Sequence, residues 1–210
     1  MSRAKSSMAA TESVYASRPW LDHYNYFTPP HMNYPRRPLH EILRITAAEV
    51  PDRPATAFYG QHLTFAQLRD QADRFATALS RLGIAQGDRV GIMLPNCPQY
   101  VIAAFALFRL GVTVVNVNPI YTPREVLVVA KDSGMRALLT IDVLAPKVLA
   151  VRDETAIERI VITSLAEYSA AATPTSIVEG TIRMSDLLAR VSGPDLARIE
   201  IDTYQDVAVL

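Results

Sequence analysis

Residues 112–117 are almost entirely apolar and lack the strict alternation of a strand with one wet face. Such a strand is stable only when both faces are covered, so it belongs in a parallel sheet held between helices. Its surroundings agree. Residues 89–94 read as a preceding strand, and a helix over about 98–110 stops at Gly111. Thr122, Pro123 and Glu125 form a helix start in which Thr122 caps, Pro123 suits the first helical position and Glu125 sits near the positive helix end. Residues 136–141 and 160–163 read as further strands, with a helix between them over 143–151 that Pro146 starts or interrupts. Strand and helix alternating through short joins predict a layered α/β fold.

Upstream, Leu39, Ile42, Leu43 and Thr46 recur at helical spacing until Pro51. Residues 55–59 and 62–64 read as two short strands around a turn at Gly60 and Gln61. Thr64 and Gln67 then stand at capping-box spacing, opening a helix whose inner stripe is Phe65, Leu68, Ala72, Phe75, Ala76, Leu79 and Leu82. Gly83 suits a left-handed helix end. Downstream, residues 170–175 read as an exposed excursion, 184–190 as a short helix and 206–210 as a buried strand. A chain whose last residues form a buried strand reads as part of a larger enzyme. The organisation expected is an N-terminal arm over residues 1–37 and, over 38–210, an incomplete α/β domain.

Composition removes several partners. At 210 residues, half of them apolar, the chain can bury a sizeable core. Lys plus Arg equal Asp plus Glu at 21 each, so net charge gives no argument for nucleic acid or an acidic membrane. Cys97 is the sole cysteine, which excludes an internal disulfide and suits an inert buried thiol. Residues 101–108 are too short an apolar run to span a bilayer, and Arg3 and Lys5 precede a small polar run rather than a secretory segment, so a soluble cytoplasmic protein is expected. The first forty residues hold five Arg or Lys against two acids, four tyrosines and several prolines. That mixture predicts an arm that wraps, burying rings of Trp20, Tyr24, Tyr26, Phe27 and Tyr34 against a surface or a second subunit.

The catalytic inventory is thin. His23, His31, His40 and His62 lack the spacing of a zinc site, and no second thiol accompanies Cys97. Gly83, Gly87 and Gly91 lie in GIAQGDRVG, which is neither a GxGxxG turn nor a phosphate loop and reads as turn structure. Asp70, Asp73, Asp88 and Asp132 suit surface or cap roles.

Several segments carry a resemblance in combination and order: PWLDHY (19–24), HLTFAQL (62–68), GDRVGIMLPN (87–96), FALFRLGVTVVNVNPIYTPRE (105–125) and KDSGMRALLT (131–140). Together they resemble acyl-CoA synthetases of the adenylate-forming, AMP-binding ligase family. The resemblance implies the N-terminal part of such a ligase's large domain. It also implies a two-step reaction in which a carboxylate and ATP give acyl-adenylate and pyrophosphate, after which the thiol of coenzyme A gives a thioester and AMP. ATP, Mg2+ and coenzyme A would be its cofactors, a medium- or long-chain fatty acid its substrate, and a homodimer through the N-terminal region its assembly.

The family's phosphate-binding loop, magnesium-binding Glu, ribose-binding Asp and catalytic Lys match no segment here, so the chain alone is expected to be inactive and to supply scaffold. The resemblance places Asn118, Pro119 and Tyr121, in NPIY, along the coenzyme A approach. Pro119 shaping a turn that Tyr121 seals is the structural alternative. An aryl-acid CoA ligase and a non-enzymatic scaffold or interaction fragment are the alternative functions.

Overall fold

The computed structural model describes residues 14–32, 34–193 and 195–210. The leader reading of residues 3–11 lies outside them. The chain divides into two compact units, Met1–Arg36 and Arg37–Leu210.

In the first unit a single helical turn, α1 (Val14–Ser17), leads into a 3-10 turn over Pro19–His23, between which Arg18 takes a left-handed conformation with φ of 48°. Asn25 then closes a turn, its Oδ1 accepting from the Phe27 amide at 3.0 Å and the Thr28 hydroxyl at 2.9 Å. Tyr26 and Phe27 meet edge to face with centroids 5.5 Å apart. In the single chain Tyr26 is 96% and Phe27 88% exposed. Their mutual contact covers only one edge of each.

The second unit opens with α2 (Leu39–Glu49), which buries Leu43 and Ala47 and leaves Leu39 and Ile42 exposed, so its inner stripe is narrower than the sequence predicts. A hairpin follows, β1 (Pro54–Phe58) paired antiparallel with β2 (Gln61–Thr64). Its two turn residues, Tyr59 and Gly60, both have positive φ, the geometry that matches strand twist in a two-residue loop. Thr64 and Gln67 form the expected reciprocal capping box at the head of α3 (Phe65–Arg81). The helix ends where the Gly83 amide reaches Ser80 and the Ile84 amide reaches Leu79, which consumes two orphan carbonyls.

The remaining elements alternate: β3 (Arg89–Met93), α4 (Pro98–Arg109), β4 (Thr113–Asn116), α5 (Pro123–Ser133), β5 (Ala137–Ile141), α6 (Ala145–Leu149), β6 (Arg159–Thr163), β7 (Ile182–Arg183) and α7 (Met184–Ala189). Among the described residues the five strands form one parallel sheet in the order β4-β3-β5-β6-β7. The two-residue β7 is too short to leave a periodic signal. Side chains alternate between two cores. Val90, Ile92, Val114 and Leu139 face the layer of α2, α3 and α4, whereas Met93, Val115, Leu138 and Ile160 face that of α5 and α6. The layered α/β fold is therefore present, with apolar strands because both faces are covered.

Two sequence readings change. Gly91 is not a turn residue but lies inside β3, where an added Cβ would stand 2.6 Å from Met135 Sδ and 3.2 Å from the Leu138 side chain. Residues 207–210 do run alongside the sheet, parallel to β4: the Val114 amide reaches Ala208 at 2.9 Å and the Leu210 amide reaches Val114 at 2.8 Å. They are not buried, however, with Val207 54% and Leu210 57% exposed. At the sheet edge they have one strand neighbour, β4, among the described residues. In the excursion at 170–175, Thr175 turns inward and is buried.

Candidate functional site

In this strand order β4 and β5 lie on opposite sides of β3, and the connections pass from the α4 layer to the α5 layer. Ligands of open parallel sheets bind outside the carboxyl ends of the strands where that reversal occurs. In this chain that position falls between the ends of β3 and β5, with the loop after β4 beside it.

That loop is NPIY. Asn118 folds it: its Oδ1 accepts from the Ile120 amide at 3.1 Å, and its carbonyl oxygen accepts from the Tyr121 amide at 3.0 Å. The Asn118 side chain is exposed, and its amide nitrogen has no partner among the described residues. Pro119 and Tyr121 are half-buried, and Tyr121 lays its ring against the α5–α6 core. The next helix is set by Thr122 and Glu125, a second reciprocal capping box. The Glu125 carboxyl is held below its ordinary range, first by the Thr122 backbone amide and then by the Thr122 hydroxyl.

Lys147 completes the arrangement. From α6 its ammonium donates to the carbonyl oxygens of Tyr121 at 3.0 Å and Pro119 at 3.4 Å. It thereby ties the loop after β4 to the helix after β5, across the end of β3. The sequence signals Pro146 as a helix start but nothing that pairs its neighbour with a loop 26 residues away.

A cleft of about 570 Å3 lies at the end of β6, between the β1–β2 hairpin and the loop carrying Glu167 and Tyr168. Several of its polar groups are paired, while the buried Thr56 Oγ1 has no partner among the described residues. Glu167 accepts from the Thr163 hydroxyl at 2.8 Å and the Thr175 amide at 3.2 Å, and the Tyr168 hydroxyl donates to Gln71 Oε1. Burial pushes the Tyr168 phenol above its ordinary range. The cleft can receive a ligand, and His62, Ser169 and Ser185 also line it. Neither Glu167 nor Tyr168 follows a spacing that marks it out in advance.

Three other singled-out residues, Asp88, Asp70 and Cys97, have structural roles. Asp88 accepts from the Ala85 amide at 2.9 Å and from Arg136 at 3.0 Å, and Asp70 pairs with Arg74 at 3.4 Å. Cys97 is buried, which pushes its thiol up. No group of three or more His, Cys, Asp or Glu side chains among the described residues is placed to hold a metal ion.

Residues 43–197 match the family described as AMP-binding enzyme. A long-chain-fatty-acid–CoA ligase of Bacillus subtilis is 37% identical over 155 residues, covering 74% of this chain and 28% of the relative. The 4-coumarate–CoA ligase 2 of rice is 42% identical over 112 residues, 52% of this chain and 20% of that protein. The crystal structure of a long-chain-fatty-acid–CoA ligase from Archaeoglobus fulgidus superposes with a TM-score of 0.71 at 22% identity, covering 86% of this chain and 35% of that one. That last likeness speaks to the fold alone. The chain spans about 28% of the length of its Bacillus relative.

Proposed function

The chain belongs to the AMP-binding enzyme family, and from that premise we propose that it is the N-terminal part of an ATP-dependent medium- or long-chain fatty-acid CoA ligase. The observation that carries this reading is the 37% identity to the Bacillus long-chain-fatty-acid–CoA ligase over 74% of the chain. Since only 28% of that relative is spanned, the activity is proposed for a longer protein bearing this chain.

In that protein a fatty carboxylate and ATP give acyl-adenylate and pyrophosphate, and the thiol of coenzyme A then displaces AMP to form the thioester. Adenylation is needed because a carboxylate oxygen is a poor leaving group. Magnesium, when bound, offsets phosphate charge during the first step. No group of three or more His, Cys, Asp or Glu side chains among the described residues is placed to hold it. The fit to coenzyme A is better. Asn118 offers an exposed, unpartnered amide donor at the carboxyl end of the sheet, Pro119 fixes the turn, and Tyr121 presents one edge of a ring whose other side is packed. Lys147 positions the loop through its two carbonyl contacts.

The test is thioester formation by the longer protein with ATP, magnesium, coenzyme A and acids of varied length. Turnover of fatty acids supports the proposal, and failure with every acid by a folded protein overturns it. The 210-residue chain alone should show no ATP–pyrophosphate exchange. In the longer enzyme, Tyr121→Ala should raise KM for coenzyme A selectively, whereas unchanged kinetics would leave Tyr121 a purely packing residue.

A second reading, an aryl-acid CoA ligase, is favoured by the 42% identity to the rice 4-coumarate enzyme over 112 residues. Activity confined to aryl acids would select it. A cytoplasmic location and a homodimer formed through the N-terminal region belong to the same proposal.

A further inference from the structure

A second concave site lies on the outer face of the layer made by α2, α3 and α4. None of its lining residues comes from the loops that follow the sheet strands. The pocket holds about 280 Å3, just below the roughly 300–1,000 Å3 of sites that enclose drug-sized ligands. Its polar lining is unusual in charge: Arg44, Arg69 and Arg109 against a single carboxylate, Asp73, with His40 at the head of α2.

These cations are not equivalent. Arg44 is already matched, its Nε donating to Glu41 Oε2 at 2.8 Å. Arg69 and Arg109 are half-buried, yet neither donates a hydrogen bond or joins an ion pair among the described residues. A guanidinium carries five N–H donors in a planar fork, and leaving such a group short of acceptors while part of its water is removed costs free energy. Asp73 does not resolve this. It is near enough to feel both arginines, but it makes no ion pair with either, and its own burial pushes its carboxyl up. His40 stands beside them at the head of α2, its Nε2 3.5 Å from Glu41 Oε1.

Two unanswered guanidinium forks, Arg69 from α3 and Arg109 from α4, therefore converge on one cavity. A tetrahedral oxyanion satisfies both, because its several acceptor oxygens can take two forks from different helices at once. We propose that the pocket between α2, α3 and α4 binds a phosphate-class oxyanion, held by Arg69 and Arg109. The proposal does not depend on the ligase reading, since it uses a different face and different residues. The pocket's volume suits an oxyanion or the phosphoryl end of a larger metabolite.

The test is calorimetric titration of the 210-residue chain with inorganic phosphate and, separately, with glycerol phosphate, each at fixed ionic strength. One saturable site is expected for at least one of them. Tighter phosphate binding assigns the site to the free ion, and tighter glycerol phosphate binding assigns it to a phosphoryl group on a metabolite. Arg69→Met and Arg109→Met should each weaken binding by about tenfold or more, the scale of a lost charge-assisted hydrogen bond. Asp73→Asn should tighten binding several-fold by removing the like charge, a gain that misfolding cannot produce. Absence of saturable binding by either probe, or binding that Arg109→Met and Asp73→Asn leave unchanged, overturns the proposal.

Discussion

The Lys147 ammonium sits 3.0 Å from the Tyr121 carbonyl oxygen, so a side chain of α6 closes a loop that belongs to β4. A contact to backbone oxygen depends on the ammonium and not on the identity of the loop side chains. Lys147→Met keeps most of the stem's packing while removing the donor, and should cost about 1 kcal/mol. Amide hydrogen exchange should quicken at Ile120 and Tyr121 while β4 stays protected. Unaltered exchange in the loop would show that Asn118 alone holds it.

Gly91 answers to packing. A methyl group there would press on Met135 and Leu138, both fully buried, so Gly91→Ala should destabilise the chain by about 1–3 kcal/mol in urea unfolding. Because the nearest atom is the flexible Met135 sulfur, the double variant with Met135→Val should recover part of the loss. A neutral Gly91→Ala would mean that the layer beneath β3 gives way freely.

The Glu125 carboxyl, held low by the Thr122 backbone amide and then its hydroxyl, makes stability depend on pH. Its folded pKa lies below its unfolded one, so its contribution is present above the ordinary carboxylate range. It is lost as pH falls through the folded value. Chemical unfolding should therefore show the wild type more stable than Glu125→Ala at neutral pH, with the difference shrinking in acid. A gap that is constant with pH would place the effect in helix propensity instead.

The aromatic arm bears on assembly. With Tyr26 and Phe27 open, sedimentation over a concentration series should reveal a dimer, and deleting residues 1–36 should weaken it. A strictly monomeric chain at high concentration removes the homodimer proposal.

Local chemistry made much of this fold readable. Thr64 with Gln67 and Thr122 with Glu125 announce their helices because the capping partners lie three residues apart, and the apolar run through β4 announces a covered strand because burial on both faces removes the need for alternation. What stayed hidden depends on distant neighbours. Exposure of residues 207–210, the reach of Lys147 and the inward turn of Thr175 are all decided by what packs alongside, which spacing along the chain does not encode. Of the candidate site, the NPIY loop was legible from its place between a strand and a capped helix. Arg69 and Arg109 were not, since each reads as an ordinary charge on a helix until the helices are brought together.

The pairing of residues 207–210 with β4 also orders events in time. Thr113 donates its hydroxyl to Val207, 94 residues further on. During synthesis β4 can pair with β3 on one side as soon as both have emerged, but its other side must wait for almost half the chain. Throughout that interval the nascent sheet carries an open row of amides and carbonyls, able to take up a strand from a neighbouring copy. A ribosome that pauses before residue 207 would prolong this state, so conditions that slow elongation late in the chain should favour aggregation more than those that slow it early.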